Sequence, residues 1–159
     1  MLKRKREEKH IGDDDSQKYE LIPNVSLGVF VLGKDISAYL HMSHFLKHED
    51  FETFSSDDYE FYDGGIIVWT RDEDKNKIWT IRSNSKCYWK GENLIGMPFD
   101  KFLRLSENQP NTESTEYVPI NRNRGQNQKV YTFDNLGLMI WVWRNRIKTI
   151  LISRYDQGE

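Results

Sequence analysis

Residues 133–150 read FDNLGLMIWVWRNRIKTI, two apolar segments joined by Arg144-Asn145. Asn tolerates the positive φ that a two-residue hairpin turn demands, so this stretch predicts two antiparallel strands in a tight hairpin. The two alternating faces of the first strand are Leu138, Ile140 and Val142 on one side and Met139, Trp141 and Trp143 on the other. If helices cover only one of these faces, the other presents an aromatic surface to a partner or to a second subunit.

The same order of residues occurs earlier in the chain, where residues 62–81 read YDGGIIVWTRDEDKNKIWTI. In this alignment Gly65, Trp69, Ile78, Thr80 and Ile81 match Gly137, Trp141, Ile147, Thr149 and Ile150. Further upstream, a constant offset of 63 residues (96 − 33) relates Gly33, Ile36, Tyr39, Leu40 and Ser43 to Gly96, Phe99, Phe102, Leu103 and Ser106. The chain is therefore predicted to be a tandem duplication.

Each copy is predicted to contain a helix that follows its glycine. The apolar spacing of three and four residues favours an amphipathic helix that begins at 34–36 and ends near Lys47, and a second that begins at 97–99. Asp35 suits the first turn of one helix and Pro98 that of the other. We expect an α+β fold, in which a tandem duplicated helix-plus-antiparallel-strand repeat packs its two helices on one face of a β-sheet.

The chain has 159 residues, with 23 basic against 25 acidic side chains, and its composition is that of a single globular domain. Residues 1–19 are highly charged and predict a disordered arm, whereas 20–159 predict one domain of two repeats, at about 21–85 and 86–154. The polar, turn-rich insert 107–128 is expected to be a surface loop.

The chain is expected to be cytoplasmic. No apolar run approaches the roughly 20 residues that span a bilayer, and the charged N-terminus has no apolar core of an export signal. The single cysteine, Cys87, agrees with a reducing compartment.

Three histidines, His41, His44 and His48, have the spacing of one helix face and look like a metal site. Their arc points away from the apolar stripe of the predicted helix and lacks a convergent fourth ligand, so we expect no metal. No phosphate-binding, dinucleotide-binding or hydrolase motif is present, so we expect neither a cofactor nor an enzyme.

Charge is strongly segregated along the chain. Residues 49–74 hold ten acids against Arg71, a net charge of −9, whereas 122–154 hold seven bases against Asp134, a net charge of +6. A dense acidic surface attracts a basic partner. The residues predicted to bind that partner are Asp57, Asp58, Tyr59, Glu60, Tyr62, Asp63, Asp72, Glu73 and Asp74.

The segments PNVSLGVFVLG, GGIIVW, GENLIGMPFDKFL and FDNLGLMIWVWRNRIKTI resemble the immunity proteins of bacterial toxin/immunity systems, of the contact-dependent growth-inhibition kind. The resemblance covers roughly residues 21–153. The L-G-x-x-x-x-x-x-L helix start also resembles the beta-lactamase inhibitory protein and small outer-membrane assembly lipoproteins, although no lipoprotein signal is present. The first resemblance implies a protein without catalytic residues that binds one cognate toxin domain and blocks its active site or a nearby surface.

The residues favour the same function independently, because many such toxins would be nucleases with basic clefts that an acidic, aromatic-flanked surface complements. The alternative is a small nucleic-acid-binding or protein-interaction module that uses the basic second repeat, with Trp143 or Tyr131 as a stacking residue. The net negative charge disfavours nucleic acid as a ligand. A homodimer remains open at this point.

Overall fold

The computed structural model describes residues 15–71, 73 and 76–153. Its strands, in chain order, are β1 (Leu21–Ile22), β2 (Ser26–Leu27), β3 (Phe30–Val31), β4 (His44–Asp50), β5 (Ser55–Phe61), β6 (Ile66–Arg71), β7 (Ile78–Ser83), β8 (Tyr88–Trp89), β9 (Glu92–Asn93), β10 (Thr112–Asn121), β11 (Arg124–Phe133), β12 (Leu138–Trp143) and β13 (Arg146–Ser153). A 3-10 helix spans Ile36–Tyr39, the α-helix α1 spans Phe99–Ser106, and residues 15–18 form a helical turn. Within these described ranges, no helix is long and apolar enough to cross a membrane.

Eight strands form one antiparallel sheet in the order β10-β11-β12-β13-β7-β6-β5-β4. The central strands β6 and β12 are rich in β-branched and aromatic residues, which pack well on a pleated surface. In both strands every second side chain is buried and the others are partly exposed. The prediction that Leu138, Ile140 and Val142 share one face of their strand is therefore confirmed.

The two halves of the sheet are related by an approximate two-fold axis. The last strands of the two copies, β7 and β13, lie side by side at the middle of the sheet and are antiparallel. At this junction Arg82 is paired with Leu151. These two residues occupy equivalent positions, because each lies four residues after the matched Ile78 and Ile147 (82 − 78 and 151 − 147). The arrangement agrees with the predicted tandem repeat.

The equivalence of the two copies extends to individual hydrogen bonds. The Gly33 N–H donates to the Ile78 carbonyl at 2.7 Å, and the Gly96 N–H donates to the Ile147 carbonyl at 2.7 Å. Each bond ties the start of a helix to the last strand of its own copy. The helices begin at Ile36 and Phe99, as predicted.

The tight hairpin turn predicted at Arg144-Asn145 is also present. Arg144 and Asn145 have φ values of 51° and 62°, and β12 pairs with β13 on either side of them. Two successive positive φ angles give the turn the twist that antiparallel strands need.

The predicted α+β class, with two helices packed on a sheet, is wrong, because strands account for 54% of the structure and helices for 12%. The first predicted helix is a 3-10 helix of four residues, and the chain from His44 onward is strand β4, paired with β5. Leu40, which the predicted helix needed to bury, is 40% exposed. With only Ile36 and Tyr39 buried, the apolar stripe is too short to sustain a longer helix. The following residues therefore form strand β4, which pairs with β5.

The predicted surface loop at 107–128 is also wrong, since most of it belongs to the long hairpin of β10 and β11. Strand β10 is exposed almost throughout, so its sequence has no apolar alternation that would indicate a strand.

At the N-terminal end of the described chain, residues 15–18 of the predicted arm form a helical turn, and Tyr19 is buried. Residues 1–14 lie outside the described part of the chain.

The core lies between one face of the sheet and a layer that contains the helices and the short strands. In the first copy Phe30 packs on Phe61, with ring centroids 4.6 Å apart. In the second, Phe102 packs edge-on against Phe133 at 5.3 Å. These elements bury their apolar residues on the same side of the sheet, so the opposite side chains of β6 and β12 face away from the core.

Candidate functional site

The sheet face opposite the core carries large, partly exposed side chains at its centre. A cross-strand row runs from Ile67 to Arg82, Leu151 and Met139. Trp69 and Trp141 flank this row at equivalent positions, each beside a shift in strand register. We call this surface the open face, defined by Ile67, Trp69, Arg82, Met139, Trp141 and Leu151. It combines apolar, aromatic and cationic groups in one contiguous patch.

Two of the predicted binding residues border the open face. Glu60 is paired with Ile67, and Asp58 is paired with Trp69. The Trp69 indole donates a hydrogen bond to the Asp58 carboxylate. Partial burial raises the pKa of Asp58, and the bond from Trp69 opposes this rise. The structure therefore places two carboxylates beside the aromatic surface.

Cationic groups lie over two tryptophan rings of this sheet face. The Arg82 guanidinium lies 5.8 Å from the Trp69 ring centroid, and the Arg71 guanidinium lies 4.3 Å from that of Trp79. Burial lowers the pKa of Arg82, while the negative charges of nearby carboxylates raise it. Arg71 also forms an ion pair with the predicted residue Glu73 at 3.2 Å. Glu73 is thus already paired within the chain.

The predicted binding residues Tyr59, Tyr62 and Asp63 do not join this surface. Tyr59 is only 7% exposed and belongs to the core. Tyr62 and Asp63 lie in the turn between β5 and β6, both with φ of 54°. The Tyr62 ring contacts the Lys18 ammonium at 4.3 Å and lines a cavity of about 350 Å³. Asp72 and Asp74 lie outside the described residues.

Asp57 takes part in a separate cluster at the β4 edge of the sheet. It is hydrogen-bonded to Nδ1 of His48, whose Nε2 lies 2.9 Å from Oδ1 of Asp50. The hydrogen bond with Asp57, followed by that with Asp50, raises the pKa of His48. One imidazole thus bridges two carboxylates, and this cluster joins the edge strand to β5.

The helix face proposed for His41, His44 and His48 does not form, because His44 and His48 lie on strand β4. Nδ1 of His44 instead contacts the Met42 carbonyl at 2.7 Å. Across the described ranges, no group of three His, Cys, Asp or Glu side chains could hold a metal ion.

Cys87 is fully buried, and burial raises the pKa of its thiol, which disfavours the reactive thiolate.

Arg82 was missed by the sequence analysis, although it occupies the centre of the open face. The signal available was a single charged residue in the strand IWTIRS of β7. Its importance depends on which strands neighbour β7, and pairing with β13 joins sequence positions far apart in the chain.

No protein-family profile matches this chain, and no curated protein and no solved structure is significantly similar to it.

Proposed function

We propose that this protein is a non-enzymatic, cytoplasmic immunity protein that binds a cognate bacterial toxin domain and neutralises it without a cofactor. The observation that carries the proposal is the open face, whose large side chains are partly exposed at the middle of an eight-stranded sheet. Trp, Met and Arg are enriched at the centres of protein interfaces. Large contiguous apolar patches on a protein surface mark interaction sites.

The acidic border of the open face supports a basic partner. Asp58 and Glu60 lie beside it, and Glu49 is close enough to Asp58 to raise its pKa. A nuclease holds its substrate through Lys and Arg side chains in a cleft, and these carboxylates would complement such a cleft. Opposite charges also speed the encounter of the two proteins. We therefore propose a nuclease domain as the toxin.

The basic residues of the second copy give less support to nucleic-acid binding. Arg122 and Arg124 lie at the tip of the β10–β11 hairpin, whereas Lys129 forms an ion pair with Glu113 at 2.9 Å. Trp143, a candidate stacking residue, already has the guanidinium of its own neighbour Arg144 at 4.3 Å from its ring. Lys129 and the Trp143 ring thus each already have a partner within the chain.

Co-expression tests this function. The toxin domain to use is the variable C-terminal domain of a large secreted protein encoded directly upstream of this gene. We expect that domain to arrest growth alone, and co-expression of this protein to restore growth and yield a complex that survives size-exclusion chromatography. A neighbourhood that encodes no such protein, or growth arrest that persists at equal expression, would contradict the proposal.

A matched pair of charge reversals shows whether the acidic border matters. Glu60→Lys changes the border of the open face, whereas Glu116→Lys makes the same change on the opposite edge strand β10. We expect Glu60→Lys to weaken protection at low inducer concentration and Glu116→Lys to protect like the wild type. Equal loss in both variants would indicate a general charge effect rather than this surface.

A further inference from the structure

Arg82 occupies the centre of the open face, and no described carboxylate forms an ion pair with it. Its cross-strand neighbours are the apolar residues Ile67 and Leu151. Among the described residues its side chain forms no hydrogen bond and no ion pair, and the aromatic ring that it contacts is that of Trp69. The partly buried guanidinium therefore lies between apolar neighbours, and its N–H donors are not taken up by any described side chain.

The carboxylates of this face do not neutralise Arg82 by contact. Glu60 lies two strands away, on β5, so its backbone is roughly 10 Å from that of Arg82 at the usual strand spacing, and the two side chains form no ion pair. Asp58 accepts a hydrogen bond from Trp69 instead. Both act on Arg82 only at a distance, and burial makes its lone charge less favourable than it is in water. An acceptor brought by a partner would relieve this cost.

We propose that Arg82 is the anchor of the interface and binds a carboxylate of the toxin domain, seated between Trp69 and Trp141 on the open face. This inference rests on the proposed function and specifies the partner. The toxin surface would present an Asp or Glu side chain ringed by apolar groups, with basic side chains next to it that face Asp58 and Glu60. A planar guanidinium suits this role because it binds a carboxylate through two parallel hydrogen bonds.

A protein carboxylate fits this surface better than a nucleic-acid phosphate does. The groups next to Arg82 in its row are aliphatic, Ile67 on one side and Leu151 and Met139 on the other, so a continuous backbone of phosphates would find no second cation there. Asp58 and Glu60 would repel such a backbone. A central charge surrounded by apolar contacts is instead the arrangement of an interface anchor, from which water is excluded.

The approximate two-fold axis provides a matched control. Arg82 and Leu151 are equivalent residues paired across the axis, so the double variant Arg82→Leu/Leu151→Arg keeps the composition and the net charge. It moves the guanidinium by about 5 Å, from β7 to β13. The single variant Arg82→Leu removes the charge. The single variant Arg82→Lys keeps the charge but lacks the planar guanidinium.

The measurement is the affinity of each variant for the purified toxin domain by titration calorimetry, with far-ultraviolet circular dichroism as the test of folding. We expect Arg82→Leu to bind about 30-fold or more weakly, because a partner carboxylate would be left buried and unpaired. The double variant should be as weak as Arg82→Leu, and Arg82→Lys should be intermediate. If the double variant does not fold, Arg82→Gln takes its place and should be as weak as Arg82→Leu.

Several outcomes would overturn the anchor. Wild-type affinity in Arg82→Leu, or in the folded double variant, would show that no carboxylate is aligned with Arg82. If the protein binds a single-stranded oligonucleotide through Arg82 but binds the toxin domain without it, the residue belongs to a nucleic-acid site. A dimer in sedimentation that Arg82→Leu dissociates would assign it to a second copy. If Glu60→Lys loses protection while Arg82→Leu binds the toxin domain normally, the proposed role of Arg82 is wrong and the proposed function stands. If the wild-type protein binds no toxin domain, both proposals are wrong.

Discussion

Val130 holds, in the second copy of the repeat, the position that Asp58 holds in the first. Asp58 is paired with Trp69, and Val130 is paired with the equivalent Trp141. As a result the Trp69 indole has an acceptor, whereas the buried Nε1 of Trp141 has no hydrogen-bond partner among the described residues. A buried donor left unpaired costs about 1–3 kcal/mol.

This difference predicts unequal effects of the same substitution at equivalent sites. Trp69→Phe removes the donor to Asp58 and leaves a half-buried carboxylate with one bond fewer, whereas Trp141→Phe removes an unpaired N–H. We expect Trp69→Phe to lower the free energy of unfolding by at least about 1 kcal/mol more than Trp141→Phe does. Urea denaturation of both variants measures the difference. A larger loss in Trp141→Phe would show that the two indoles are not distinguished by Asp58.

The bridge that His48 forms between Asp57 and Asp50 predicts a pH dependence of stability. Because the folded pKa of His48 is raised, mainly by Asp57, the folded state holds this proton more tightly than the unfolded state does. The stabilisation is fully present below the unfolded value of about 6.5 and is lost as the pH rises through the folded pKa.

Thermal midpoints from mildly acidic to mildly alkaline pH measure this effect. We expect the midpoint of the wild type to fall across that range and the fall to be smaller in His48→Gln. His44→Gln, whose ring contacts the Met42 carbonyl rather than a carboxylate, serves as the control and should retain the wild-type profile. Identical profiles in the wild type and His48→Gln would rule out His48 as the titrating group.

Gly28 occupies a position where any side chain would collide with the backbone. Its φ is +60°, and a Cβ built on it would lie 2.1 Å from the Lys18 carbonyl oxygen. Gly91 has a φ of +80° but nothing within 4 Å of such a Cβ. We expect Gly91→Ala to cost about 1–2 kcal/mol from backbone strain alone and Gly28→Ala to cost more than about 3 kcal/mol. Chemical denaturation of the two variants tests this, and equal losses would refute the clash with Lys18.

The acidic border predicts a salt-dependent association with the toxin domain. In the double variant Glu49→Lys/Glu60→Lys, we expect the association rate at low ionic strength to fall about tenfold or more, and its dependence on salt to flatten. Stopped-flow mixing at two salt concentrations measures both quantities. The interface would instead lie on the basic half if these rates stay unchanged and binding disappears on charge reversal of four arginines, Arg122, Arg124, Arg144 and Arg146.

The tandem repeat, the hairpin at Arg144-Asn145 and the alternation along β12 could be predicted from the sequence. These features depend on local interactions: the turn on two residues that accept positive φ, and the alternation on side chains that point to opposite faces of one strand. The acidic character of the region around Asp58 and Glu60 was equally legible, since both carboxylates lie in one short segment.

What only the tertiary structure decided was the outcome of competition between distant segments. The helical spacing at 36–43 was real, but pairing of β4 with β5 and the exposure of Leu40 limited the helix to Ile36–Tyr39. The polar segment at 112–121 became a strand because β11 supplies its hydrogen bonds, which no pattern in its own side chains indicates. Arg82 became the centre of the open face because β7 pairs with β13, and that contact joins residues whose proximity arises only when the whole sheet is assembled.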